Sequence, residues 1–264
     1  MKKIILQGMP FDDKSSFLKG ASLAPPIIRN KFFSKSTNTF SEGHIDIEKY
    51  IDDAGDKKIN DYFEIEKITQ DHLAVNNRIF TLGGDHSITY PIIKAYRKFY
   101  SSFDILHLDA HPDLYEELDN DKYSHACPFA RIMENKLIDQ LIQVGIRTWN
   151  THQLEQARKY KVAISEMKDF DIRNLPELKN DVYISLDMDV FDPAFAPGVS
   201  HHEPGGLTAR QVISVIQNIK PRIIGAEIVE YNPKRDVQGI TATLAAKIMK
   251  EILSQMLINN SFTS

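Results

Sequence analysis

The sequence is poor in cysteine, carries no excess of positive charge and lacks a long apolar run at its start, and each scarcity removes a class of function. The single cysteine, Cys127, can close no intramolecular disulfide, which excludes a disulfide-stapled scaffold and agrees with a reducing, cytoplasmic setting. Lysine and arginine number 32 against 36 aspartates and glutamates, a formal charge of -4, so nothing recruits the phosphates of a nucleic acid. The opening MKKIILQGMPFDD has two lysines but only a short apolar run before Pro10 and two acids. It fits neither a secretory signal nor a membrane span and reads as a first strand. No repeat, linker or low-complexity tract divides the chain. With 264 residues, 42% of them hydrophobic, it can bury a substantial core, and one domain over 1–264 is the expectation.

Several runs rich in Ile, Val, Leu and Phe have strand length: KIILQG (3–8), RIFTLGG (78–84), FDILHLD (103–109), LIQVGIR (141–147), DVYISLD (181–187) and RIIGAEIVE (222–230). They are nearly continuous apolar stretches, as strands buried on both faces require. Helical patterns occupy 92–100, 128–135, 152–160, 208–219 and 241–258. The alternation predicts an α/β fold, a single three-layer α/β/α domain with a mostly parallel sheet. The polar stretch 31–77 reads as loop and short helix, or as a partly mobile flap.

Three segments concentrate histidine and aspartate where these strands end. In Gly83-Gly84-Asp85-His86-Ser87, two glycines allow a tight turn and Ser87 can cap a helix, which presents His86 at the sheet edge. In Asp109-Ala110-His111-Pro112-Asp113 the candidate ligands recur at every second residue, so an extended chain points all of them to one face. Asp187-Met188-Asp189 repeats that period before Asp192-Pro193. Open α/β sheets place their ligand sites beyond the carboxyl ends of the strands, so the segments can meet in one crevice. Together they offer two imidazoles and four carboxylates, a donor set that suits Mn²⁺ better than a thiolate-bound structural zinc. Four carboxylates around one small ion repel one another; two divalent ions offset that charge, so a binuclear centre is the economical reading.

In these strings the chain resembles the ureohydrolase (arginase/agmatinase) family. GGDHS (83–87), DAHPD (109–113) and SLDMDVFDPAFAPG (185–198) are similar to its signature segments. GASLAPPIIR (20–29), SHACPF (124–129), EPGGLT (203–208) and EIVEYNP (227–233) extend the likeness over most of the chain. The resemblance implies an arginase-like fold with two Mn²⁺ ions: His86, Asp109, Asp113 and Asp187 on one, and Asp109, His111, Asp187 and Asp189 on the other. It also implies a metal-held hydroxide that attacks a guanidinium carbon. His125 would then supply a proton to the departing amine, and Glu230 would pair with the guanidinium. Asp85 reads as a support for His86 or the neighbouring backbone, or as a helix-start acid, Glu203 as a residue near the mouth without a definite role, and Trp149 as packing. His201 and His202 read as an exposed loop pair, and His44, His72, His107 and His152 as structural or solvated.

The loop after DAHPD, LYEELDNDKYSHACPF, has no Ser-Gly-Asn element of the kind the family's arginases share, and it holds Glu116, Glu117, Asp119 and Asp121. An acidic rim favours the dication agmatine, hydrolysed to putrescine and urea in polyamine biosynthesis, and repels a carboxylate-tailed substrate. The chain is therefore most like the agmatinase branch, although Arg235 stands where related agmatinases commonly carry tyrosine. Guanidinobutyrate, arginine or formiminoglutamate are the alternative substrates; a single-zinc deacetylase and a noncatalytic scaffold are the more distant readings. The resemblance further implies a homo-oligomer, a trimer or hexamer, and no nucleic acid or membrane partner.

Overall fold

The computed structural model describes residues 3–75 and 78–261, so residues 1–2 and 262–264 of the expected 1–264 domain, and 76–77 of the polar stretch, lie outside the described residues. Its strands are β1 (Ile4–Gly8), β2 (Ile51–Asp56), β3 (Ile79–Leu82), β4 (Asp104–Leu108), β5 (Leu141–Ile146), β6 (Ala163–Glu166), β7 (Val182–Asp187) and β8 (Ile223–Val229). They form one sheet in the order β2-β1-β3-β8-β7-β4-β5-β6, with every pairing parallel. The six strands read from apolar runs are buried at every position, as inner strands of a covered parallel sheet must be. The two that the sequence does not announce are the edges. Strand β2 exposes Asp52, Asp53 and Asp56, charges that discourage further pairing at an open edge, and β6 is half-buried throughout.

The helices are α1 (Ala24–Phe32), α2 (Glu64–Val75), α3 (Thr89–Arg97), α4 (Pro128–Glu134), α5 (Thr151–Tyr160), α6 (Ala209–Gln217) and α7 (Ile240–Ser261). Prolines open α1 and α4 in the first turn, where the missing N–H costs nothing. Asn150 with Gln153, and Thr208 with Gln211, close reciprocal caps on α5 and α6. Alternation along the strands sorts the core into two layers. Leu6, Leu82 and Leu186 pack with Ile28 and Phe32 of α1, Ile213 of α6 and Met249 of α7. On the other face Ile5, Ile105 and Tyr183 pack with Leu73 of α2, Ile92 and Tyr96 of α3 and Ile132 of α4. Each such fully buried aliphatic side chain contributes about 2 kcal/mol.

The polar stretch is in part loop and short helix, as read, but within 31–75 it also supplies β2 and the longer α2, whose inner stripe is Ile65, Thr69 and Leu73. No helix among the described residues is long and apolar enough to cross a membrane. The four central neighbours β3, β8, β7 and β4 each end in one of the segments rich in acids and histidines.

Candidate metal centre

Strand β3 runs into Gly83 and Gly84, and the turn is stitched down on both sides: Gly83 N donates to Ile228 O, Glu230 N to Gly84 O, and Asp85 N to Phe11 O, each at 2.8 Å. A side chain on Gly84 would sit 1.9 Å from Phe11 O, so only glycine lets the two backbones touch. Asp85 then caps the following turn, accepting from Ser87 N and Oγ, and leaves His86 facing inward with no exposed surface. Strand β4 stops at Leu108, and Asp109–Asp113 are not extended. Convergence comes instead from a tight loop in which His111 N donates to Asp109 Oδ1 at 2.6 Å. Asp113 adopts a left-handed backbone, φ 48°, as does Glu230 at φ 61°. Such conformations cost on the order of 1 kcal/mol each and persist where the surroundings fix them. Asp187 ends β7 and accepts from Asp189 N at 2.8 Å.

The donor atoms meet at spacings that suit cations. His86 Nδ1 lies 3.2 Å from Asp109 Oδ2, 3.1 Å from Asp113 Oδ2 and 3.2 Å from Asp187 Oδ2. His111 Nδ1 lies 3.0 Å from Asp189 Oδ2 and 3.5 Å from Asp109 Oδ1. Ligands of one divalent ion at bonds of about 2.1 Å stand roughly 3.0–3.4 Å apart. Asp109 therefore turns one oxygen to each histidine, the disposition of a bridging carboxylate. His86 Nδ1 is buried and makes no hydrogen bond. Its other nitrogen, Nε2, lies 2.9 Å from Ser185 Oγ, which donates to Glu227 Oε1 at 2.7 Å. That chain keeps a proton on Nε2, so that a cation, when bound, can take the place of the Nδ1 proton among the carboxylates.

The electrostatics point the same way. Burial, together with the charges of Asp189 and Asp109, pushes Asp187 well above the usual carboxylate range, and burial with Asp109 raises Asp189 to about 6. Burial also penalises His86, yet Asp109, Asp113 and Asp187 hold its pKa well above an ordinary histidine's. A protein group of this kind is short of positive charge, and oxygen-rich ligation of divalent cations supplies it. The residues present fit such ions. Donor atoms of His86, His107 and Asp109 also cluster within 4.8 Å, but both nitrogens of His107 are engaged. Its Nε2 donates to Asp109 Oδ2 at 2.7 Å and its Nδ1 accepts from Gln143 Nε2 at 3.0 Å.

Beside the cluster, His125 Nδ1 donates to Glu230 Oε1 at 2.9 Å, and the same oxygen accepts from His86 N at 2.9 Å. Burial lowers the His125 pKa, but the charge and hydrogen bond of Glu230 outweigh it and raise the imidazole to about 9. A cavity of about 340 Å³ joins these groups to Tyr115, Trp149, Asn150 and Gln153, and among the described residues no lysine or arginine lines it.

The family model for the arginase family matches residues 2–254. The mitochondrial arginase of Medicago truncatula is 42% identical over 95% of this chain and 81% of its own length. The chain belongs to the arginase family. The Medicago truncatula arginase structure superposes with a TM-score of 0.89 at 38% identity, covering 97% of this chain and 87% of that one. Human mitochondrial guanidino acid hydrolase is 32% identical over 93% of this chain and 76% of its own length. The agmatine ureohydrolase of Thermoplasma volcanium, at 28% identity, gives a TM-score of 0.87 over 100% of this chain and 92% of that one. Like its family, the chain is a binuclear metal hydrolase of guanidino compounds.

In this arginase-family site the six residues singled out at the strand ends, His86, Asp109, His111, Asp113, Asp187 and Asp189, gather in one cluster, and His125 and Glu230 stand beside it. Other readings hold in part. His107, read as structural or solvated, is structural, buried against Asp109; its place two residues before Asp109, near the end of β4, is the signal for that contact. His201 is half-buried and lines the cavity with its ring 5.5 Å from His125, whereas His202 does point outward, so the exposed pair is half right. Trp149 packs against the core, as read, and also lines the cavity. Asp85 holds the neighbouring backbone at the start of a helical turn, as read, and also accepts from Lys14 N and Ser15 Oγ. Glu203 Oε1 comes within 3.5 Å of His111 Nε2. Of the acidic loop, Asp121 pairs with Lys14 at 2.7 Å, while Glu116, Glu117 and Asp119 are exposed beside the lining residues Tyr115 and Leu118.

Proposed function

We propose that this chain hydrolyses a linear guanidino compound to urea and an amine at two Mn²⁺ ions, held by His86, Asp109, Asp113 and Asp187 and by Asp109, His111, Asp187 and Asp189. The observation that carries the reading is the unpartnered, buried Nδ1 of His86 facing three carboxylate oxygens at 3.1–3.2 Å. When bound, the ions supply Lewis acidity and a water acidified toward neutral pH. The chain's own side chains do the rest. Both hydrogen bonds to Glu230 end on Oε1, which leaves Oε2 to receive a guanidinium N–H and orient its carbon. With a pKa of about 9, His125 keeps its proton at neutral pH and can deliver it from Nε2 to the departing nitrogen. A deacetylase would use one zinc and dispense with His86 and Asp113, yet both stand in the cluster.

Arginine is the substrate we favour, because the arginase of Medicago truncatula is similar over 95% of the chain. Agmatine, and with it putrescine and polyamine biosynthesis, is the second reading, supported by a cavity lining that offers no cation to an α-carboxylate. A homo-oligomer, trimeric or hexameric, and a cytoplasmic setting belong to the same reading and are carried by the family resemblance and by the single cysteine. Urea release from arginine, agmatine and 4-guanidinobutyrate after Mn²⁺ reconstitution separates the readings. Arginine should give the highest kcat/KM; a preference for agmatine selects the second reading, and no urea from any of them refutes both.

A further inference from the structure

Glu230 occupies one nitrogen of His125; the other, Nε2, lies 2.9 Å from the hydroxyl of Ser16. Ser16 lines the same cavity as His125 and is an exposed residue of a partly buried strap, 12–20, that is fixed from several directions. His125 N donates to Lys14 O at 3.1 Å, Lys14 N to Asp85 Oδ2 at 3.0 Å, and Lys14 Nζ pairs with Asp121 at 2.7 Å. Farther along, Gly20 N donates to Asp12 Oδ2 at 2.7 Å, and Ser200 Oγ to Leu18 O at 3.0 Å. The backbone that carries Ser16 is thus tied to the backbone of the histidine it touches and to the turn that presents His86.

We propose that Ser16 is a positioning residue for proton delivery, holding His125 Nε2 at the cavity in both of its protonation states. The inference rests on the guanidino-hydrolase reading. A hydroxyl can both accept and donate, so it suits a nitrogen that changes role. In the protonated imidazole the Nε2 proton is shared between Ser16 Oγ and the departing nitrogen. As the C–N bond breaks, its electron pair goes to that nitrogen, which takes the Nε2 proton. The Ser16 O–H then turns to donate to the bare Nε2. Ser16 itself gains and loses no proton, and Glu230 keeps Nδ1 throughout. No motif marks Ser16 in the sequence, because the contact spans 109 positions.

The test compares Ser16→Ala and Ser16→Thr with the wild type, using the full chain loaded with Mn²⁺ and, separately, the metal-free protein. Alanine should lower kcat for urea release about tenfold while KM stays within about twofold, and threonine, which keeps the hydroxyl, should restore most of it. Metal content and melting temperature should not change, since Ser16 is exposed and holds no ligand. In the metal-free protein the ¹⁵N resonance of His125 Nε2 should move in the alanine variant and return with threonine, with Nδ1 unchanged. An unaltered kcat, a rise in KM alone, or an unmoved Nε2 resonance would overturn the role of Ser16. Failure of the wild type to release urea would instead refute the guanidino-hydrolase reading, while the Nε2 comparison still decides the contact.

Discussion

His107 Nε2 donates to Asp109 Oδ2 across 2.7 Å, and neither side chain has any exposed surface. Burial keeps His107 below the ordinary histidine pKa, so it is a neutral donor, and Gln143 fixes which nitrogen carries the proton by donating to the other. Gln143 also donates to Pro112 O at 2.7 Å, inside the loop that carries His111 and Asp113. One glutamine on β5 thereby sets both the loop and the carboxylate that faces His86 and His111.

Replacing His107 by phenylalanine keeps a ring against Phe129 but leaves the inner oxygen of Asp109 without a donor. Groups that orient metal ligands in this way typically contribute 10–100-fold in affinity, and a loss of about that size is expected for His107→Phe. Calorimetric titration of the metal-free protein with Mn²⁺ measures it. Equal affinity in both proteins contradicts the role given to His107.

The pairing of His125 with Glu230 makes stability depend on pH in the metal-free protein. The folded pKa of His125 is raised from 6.5 to about 9, so its share is fully present below 6.5 and is lost as pH rises through about 9. Burial opposes the charge on Glu230, but His125 keeps its folded pKa below the ordinary 4.5, so its share is present above 4.5 and fades at lower pH. The pair should therefore be worth most between 4.5 and 6.5, on the order of 2 kcal/mol. Glu230→Gln should lower the His125 midpoint seen by NMR and flatten the fall in melting temperature between pH 7 and 10. A midpoint that stays near 9 in the variant would remove Glu230 as its cause.

His125→Ala should keep its metal and lose turnover, by on the order of 10²–10⁴-fold in kcat, because the side chain moves a proton without holding an ion. Metal content and kcat measured on one sample decide this. Loss of metal together with activity would place His125 among the ligands instead.

Gly84→Ala is expected to cost more than about 2 kcal/mol, since the new methyl would meet Phe11 O at 1.9 Å and only a backbone shift relieves it. The shift would break the bonds that seat Asp85 and Glu230. Urea denaturation reports the loss; a variant as stable as the wild type would show that the turn is not pinned as described.

The inner strands could be read from sequence because burial on both faces forces continuous apolar runs, as in DILHL and IIGAEIV. The edges could not: IDDAGD pairs only with β1 and keeps its acids in solvent, and AISE is short and half-buried. Helix α2 hid in the polar stretch because only Ile65, Thr69 and Leu73 of it are fully buried. The cluster of acids and histidines could be read because its members sit in short strings at strand ends. Ser16 and His201 could not, since each reaches the cavity as a lone polar residue on a loop with no period of its own. His107 lay within reach, two residues before Asp109, but its company is visible only once Gln143 is placed behind it.

The most direct test is Mn²⁺ stoichiometry, measured by elemental analysis after loading and gel filtration, for the wild type, Asp187→Ala and His111→Ala. Two ions in the wild type, a sharp loss in Asp187→Ala and retention of one ion in His111→Ala are the results expected from donor atoms gathered as these are. A wild type that binds no more Mn²⁺ than the Asp187→Ala protein would contradict the assignment of these side chains as a binuclear metal site.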